Sequence, residues 1–186
     1  MTRAMCALTN IAPLFLSAGY AGDLSVPADV ISRIPAGDPR DGPSVPDAET
    51  LVSKAAETGV ALGRAYRTLW LGGNASPGGT SHALCILRAC GIQGRVSSSA
   101  TNDTAAQKEA VWHGGVVARC PDIRSLHGTA LIREAGDTVM AAALGLIQGF
   151  PGEVVLCGGD PDVRCCCPRR RYPWPGLLRN DRLCLA

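Results

Sequence analysis

Lysine is almost missing from this chain. Lys54 and Lys108 are the only two in 186 residues, and arginine carries the remaining positive charge. Aromatic side chains are scarce too, at 4%. A core with so few rings has to be filled by small aliphatic residues packed over tight turns, and 22 glycines are available for those turns. That economy suits an α/β protein better than a β-sandwich. Long apolar runs are also lacking. No window approaches the roughly 20 apolar residues of a membrane-spanning helix, so no membrane is expected as a partner. The stretch Ile11–Ala18 behind Arg3 has some features of a secretory leader, but Thr9, Asn10 and Pro13 interrupt it. The reading is therefore cytoplasmic.

Ligand spacing for a metal is absent as well. Nine cysteines raise the question of a disulfide or zinc framework. Cys6, Cys85, Cys90, Cys120 and Cys157 stand singly among apolar neighbours, as buried free thiols do. Cys165, Cys166 and Cys167 are consecutive, so their side chains diverge, which is poor geometry for tetrahedral zinc. His82, His113 and His127 form no ligand pair with them. No metal and no cofactor is expected. The formal net charge of +2 is concentrated at one end, since residues 160–186 hold six arginines against three aspartates. The remainder is slightly acidic, which argues against nucleic acid as a partner.

What is present is a globular composition, 46% hydrophobic and 18% charged, long enough to bury one real core. Residues 1–46 read as a loop-rich N-terminal segment, with Gly, Pro and Asp dense over 19–46 and a rim-like run at 37–43. The body runs from 47 to 159. Asp47 is placed to cap a helix with its carboxylate, and Leu51, Ala55, Thr58, Leu62 and Tyr66 follow at helical spacing. A short strand over Thr68–Leu71 ends at Gly72-Gly73. A second helix spans Thr80–Cys90 and closes on Gly91. Gly94–Ser97 reads as a strand end delivering Ser97-Ser98-Ser99 into a loop, and Thr104 to Gln107 has the spacing of a capping box for a third helix to about His113. Pro121 opens a further helix to about Glu134. Asp137 caps another over Thr138–Gln148, with Val139, Ala143, Leu146 and Ile147 on one side. Glu153–Cys157 is a buried-type strand ending at Gly158-Gly159. Strand, glycine turn and helix in repetition predict a doubly wound, Rossmann-like parallel sheet flanked by helices, incomplete at the C-terminus. Ligands of such a sheet sit at the carboxyl ends of its strands.

The chemistry-bearing segment lies between a strand and a helix. In Leu71–Thr80 the run Ser76-Pro77-Gly78-Gly79-Thr80 lets backbone approach a ligand closely, and its N–H groups face outward at a helix N-terminus, ready for an anion. It is neither G-x-G-x-x-G nor a Walker A, so a plain βα turn is the alternative. Ser97, Ser98 and Ser99 either give hydroxyls to phosphate or ribose or form a polar turn. Lys108 either reaches an anion or lies on a solvated face. Asp137 either contacts substrate or only caps a helix. Gly158 and Gly159 form a second glycine turn at a strand end.

Together these segments resemble the nicotinate-nucleotide–dimethylbenzimidazole phosphoribosyltransferase family, particularly its archaeal-type branch. The resemblance covers about residues 10–159 and rests on residues 45–49, Ser76–Thr80, Val96–Ser99, Gly136–Ala142 and Val154–Gly159. It implies transfer of 5-phosphoribose from nicotinate mononucleotide to a benzimidazole-type base, in the pathway of the cobalamin lower ligand. The phosphate would be held by backbone amides and hydroxyls. The resemblance implies no Mg²⁺ requirement, because the acidic pair followed by Thr-Gly-Gly of pyrophosphate-donor phosphoribosyltransferases is absent, and it leaves a homodimer open. Two departures stand out. Family members have Gly-Glu where this chain has Gly72-Gly73, and no segment here matches the C-terminal Glu that serves bacterial relatives as general base.

At Asp160 the composition changes abruptly. Residues 160–186 form an Arg-, Pro- and Cys-rich tail without periodicity. Shifting the reading frame by one base re-reads Asp160-Pro161-Asp162 as Thr-Gln-Met, the family's own continuation, so the tail is expected to be a frameshift product and the activity impaired. The alternative function is a non-catalytic nucleotide- or phosphate-binding module.

Overall fold

The computed structural model describes residues 8–10, 12–73, 78–96 and 105–157. In chain order they form β1 (Leu16–Ala18), β2 (Asp29–Ser32), α1 (Ala48–Gly63), β3 (Thr68–Gly72), α2 (Gly79–Ala89) and α3 (Ala105–Ala110). A π-helical stretch (Val111–Val117) and a 3₁₀ turn (Ile123–Ser125) follow, then α4 (Gly128–Ala135), α5 (Thr138–Gly149) and β4 (Glu153–Cys157). The α/β class with parallel strands flanked by helices is as expected. Among the described residues the strands form two parallel pairs. β1 lies beside β2, and β3 pairs with β4 from Thr68 opposite Glu153 to Gly72 opposite Cys157. No helix among the described residues is long and apolar enough to cross a membrane.

Helices α1 and α5 form the packed centre, and small residues allow them to touch. Gly145 faces the carbonyl of Val52, Gly149 faces that of Ala56, and a Cβ on Gly59 would come within 2.7 Å of the Leu146 carbonyl. Around this contact, Ile31, Val45, Leu51, Val52, Leu144 and Leu146 close one core cluster. A second gathers Cys85, Ile86, Trp112, Val116, Ile123 and Leu131. A third holds Ala83, Leu84, Leu87 and Val96. The half-buried Met140 packs against all three, a position suited to its flexible thioether chain.

Several sequence expectations are corrected here. Asp47 occupies the N-cap of α1 but makes no side-chain capping bond, because its backbone (φ −99°, ψ 25°) is not the extended form that aims the carboxylate at the first turn. Strand β2 lies inside the segment read as loops. Its apolar signal is only Val30-Ile31, too short to stand out. Gly94–Val96 forms no strand, since the Arg88 guanidinium takes the carbonyls of Ile92 and Gly94 at 2.9 and 3.0 Å. The helix expected from Pro121 to Glu134 is broken: Leu126 is extended and Gly128 has φ +55°. Strand β4 is half-buried rather than buried. On α5 the buried side is Ala141, Ala142, Leu144, Gly145 and Leu146, while Val139, Ala143 and Ile147 are only half-buried. The close approach to α1 selects the smallest side chains for the interface, not the largest apolar ones.

Candidate functional site

In sequence, α2 is the element that follows β3, which ends at Gly72. Gly78, the N-cap, has φ +83°, a left-handed backbone that residues with a Cβ adopt only under strain. Its carbonyl accepts from Ser81 N–H at 2.8 Å and His82 N–H at 3.3 Å. The N–H groups of Gly79 and Thr80 have no acceptor among the described residues. They project from the positive end of an 11-residue helix whose first turn carries no acidic residue. Such a terminus is suited to an oxyanion.

One turn along, His82 is only 4% exposed. Its Nδ1 lies 3.2 Å from the carbonyl oxygen of Ala135, which can only accept, so Nδ1 carries the proton. Nε2 is then left without a hydrogen and lies near the turn, 4.0 Å from where a Cβ on Gly78 would stand. Burial pushes the imidazole below its ordinary range, against the opposing influence of Asp137, the Ala135 carbonyl and Asp38. Sequence patterns bring up His82 only as a metal ligand. The signal available was a titratable residue inside the apolar run from Ala83 to Leu87, one turn from the Gly-Gly step.

The lowered pKa ties stability to pH. The unfolded chain takes up the proton first, so stability is present above the unfolded value, about 6.5, and is lost as pH falls through the folded one. The thermal midpoint is therefore expected to drop between about pH 7 and 5, and His82→Gln to flatten that slope. A wild-type midpoint that holds steady across this range would contradict a neutral buried imidazole.

The other expected site residues lie in different places. Gly78, Gly79 and Thr80 form the turn and first turn just described. Asp137 is 2% exposed and caps α5, its Oδ1 accepting from Val139 N–H at 2.7 Å and Met140 N–H at 3.2 Å. The cap brings it within electrostatic reach of His82. Asp38, from the rim-like run, also acts on His82. The Arg40 guanidinium, bonded through Nε to Asp38 Oδ1 at 2.9 Å, holds its carboxyl below the usual range. Lys108 is not on a solvated face. It is 3% exposed, desolvation lowers its pKa, and its Nζ donates to the Val96 carbonyl at 2.7 Å. It thus anchors the residue that leads into the serine run, while the Val96 side chain packs beside Ala83 and Leu84 of α2. Ser76, Ser97, Ser98, Ser99, Gly158 and Gly159 lie outside the described residues, as do Thr104 and residues 160–186.

Cys85, one turn beyond His82, is buried, and desolvation pushes its thiol up to about 12, so it is no nucleophile at neutral pH. Among the described residues Cys85, Cys120 and Cys157 are free thiols, and no three His, Cys, Asp or Glu side chains are grouped to hold a metal ion.

Parallel strands flanked by helices define an α/β protein, and solved structures share its fold. CobT from Thermus thermophilus superposes with a TM-score of 0.62 at 19% identity, covering 89% of this chain and 53% of that one. A nicotinate-nucleotide–dimethylbenzimidazole phosphoribosyltransferase structure from the same organism gives 0.60 at 17%, covering 89% and 52%. In sequence the chain is similar to archaeal UPF0284 proteins. It is 34% identical to one from Pyrococcus furiosus over 161 residues, 86% of this chain and 49% of the relative. It is 34% identical to one from Halobacterium salinarum over 164 residues, 86% and 48%, and 32% identical to one from Methanosarcina acetivorans over 164 residues, 86% and 47%. The chain spans about half the length of the curated relatives it matches. No protein-family model matches it.

Proposed function

We propose that this chain carries the phosphate-holding part of a phosphoribosyltransferase, and that the α2 N-terminus receives the 5′-phosphate of nicotinate mononucleotide. The observation that carries the reading is the left-handed turn at Gly78, beyond which the N–H groups of Gly79 and Thr80 have no acceptor among the described residues at a positive helix end. The fold shared with CobT supports it. Ser76, Ser97, Ser98 and Ser99 are proposed to add hydroxyl contacts, with Gly158 and Gly159 giving the backbone close access. Lys108 supports the loop through Val96. Acceptance by a benzimidazole-type base, and a place in cobalamin lower-ligand synthesis, belong to the same proposal.

A second reading, capture without transfer, has its own support. The two carboxylates acting on His82 are both engaged, Asp137 as a helix cap and Asp38 by Arg40. Both are poorly placed to take a proton from an acceptor base. Calorimetry is therefore expected to show nicotinate mononucleotide binding and the phosphate-free nicotinate riboside binding at least about tenfold more weakly, the range of one charge-assisted contact. Product chromatography is expected to show no base exchange by the 186-residue chain. Equal affinity for the two ligands would remove the phosphate from the proposal, and ready exchange would remove the second reading.

A further inference from the structure

Nothing in the local sequence calls for a buried histidine one turn into α2, and the anion site does not by itself require one. A helix N-terminus already supplies donors. A neutral imidazole with a bare Nε2 near the same turn opposes an anion, because two electron-rich groups would face each other. The geometry resolves this in one way. Ala135 accepts the Nδ1 proton at 3.2 Å and fixes that tautomer, so the only change open to Nε2 is to gain a proton.

We propose that His82 is an anion-coupled cation: it is a neutral imidazole while the turn is empty, and it takes one proton from solvent onto Nε2 when an oxyanion seats at the α2 N-terminus. The imidazolium then donates Nε2–H toward the anion and Nδ1–H to Ala135. On release the same proton returns to solvent. This rests on the anion-binding reading of the turn and adds that binding is linked to proton uptake at a particular nitrogen.

The charged groups around the ring fit both states. Asp137 at the head of α5 and Asp38 from the loop before α1 favour the cation, while burial disfavours it. Arg40 draws off part of the Asp38 charge. On its own helix the nearest titratable group is Cys85, which stays a thiol. Empty, the balance lies with burial; an added anion tips it the other way. Gly78 brings the turn close to the ring, since a Cβ there would stand in ordinary contact with Nε2 at 4.0 Å.

Sulfate is the probe that counts the proton, because it does not titrate near neutral pH as a phosphate monoester does. The whole chain is titrated calorimetrically with sulfate and with ribose 5-phosphate, in buffers of differing ionisation enthalpy. Wild type is expected to take up about one proton per sulfate, and its affinity to fall by up to about tenfold per pH unit above neutrality. His82→Gln is expected to bind sulfate with no uptake and a flat pH profile. Imidazole ¹⁵N spectra of wild type decide the matter independently of that variant's folding: Nε2 should change from bare to protonated on adding sulfate. Sulfate binding without proton uptake, with an unchanged Nε2 signal, would overturn the proposal and leave the anion site standing. Failure of both probes to bind would overturn the anion reading and this proposal with it.

Discussion

Valine in place of Gly149 will leave little or no cooperatively folded protein at room temperature. A Cβ there overlaps the carbonyl of Ala56, which is backbone inside α1 and cannot swing aside. Relief requires the two helices to separate, and that opens the cluster built from Leu51, Val52, Ala55, Leu144 and Leu146. Overpacking typically costs about 1–3 kcal/mol even where side chains can adjust. Where only backbone can yield, the loss should exceed about 3 kcal/mol, a large share of a small domain's stability. Gly145→Val should behave alike, since Gly145 meets the Val52 carbonyl. Gly91→Ala is the control. Gly91 has φ +75° but nothing within 4 Å of a new Cβ, so it bears only left-handed strain of about 1–2 kcal/mol. Denaturant midpoints followed by circular dichroism measure all three. A Gly149→Val protein unfolding within about 1 kcal/mol of wild type would show that the helices are not in backbone contact.

Aspartate at position 80 is expected to separate stability from binding. The first turn of α2 has no acidic residue, so the Thr80→Asp carboxylate would meet the first-turn N–H groups and the positive helix end from within the chain. Stability should rise by about 0.3–1 kcal/mol. Oxyanion affinity should fall by at least about tenfold, because the new charge occupies the place and repels what comes to it. Thr80→Asn keeps the size without the charge and should keep most of the binding. Opposite movement of thermal midpoint and affinity is hard to produce by general damage to the fold. If Thr80→Asp binds ribose 5-phosphate as wild type does, the anion does not sit at this terminus.

The order of elements was legible where local chemistry dictates it. Leu51, Ala55 and Leu62 announce α1, Gly91 closes α2 with φ +75°, and Asp137 caps α5 through its own carboxylate. Misreadings arose where distant parts of the chain decide. Which face of α5 turns inward depends on how near α1 can come. Whether Gly94 joins a strand depends on Arg88 reaching its carbonyl first. The glycine turn before α2 was readable because a left-handed residue between strand and helix leaves a sequence mark. His82 was not, since its meaning comes from Ala135 and Asp137, which the fold alone brings to it. For Lys108 the sequence leaves an anion contact and a solvated face equally open, because the Val96 carbonyl that accepts from it is brought there only by the fold.

Pairing Thr68 with Glu153 has a consequence in time. Strand β3 emerges early in synthesis, yet its partner comes only after α2, α3, α4 and α5. Helix α1 waits as long for the glycines of α5. During that interval Trp70, 72% exposed even in the finished fold, and the small-residue face of α1 have nothing of their own to bind. Closing such long loops is slow, and an unpaired strand is prone to meet the wrong partner first. Folding should therefore arrive late and nearly all at once, with α1 and α5 meeting in the same event that pairs β3 with β4.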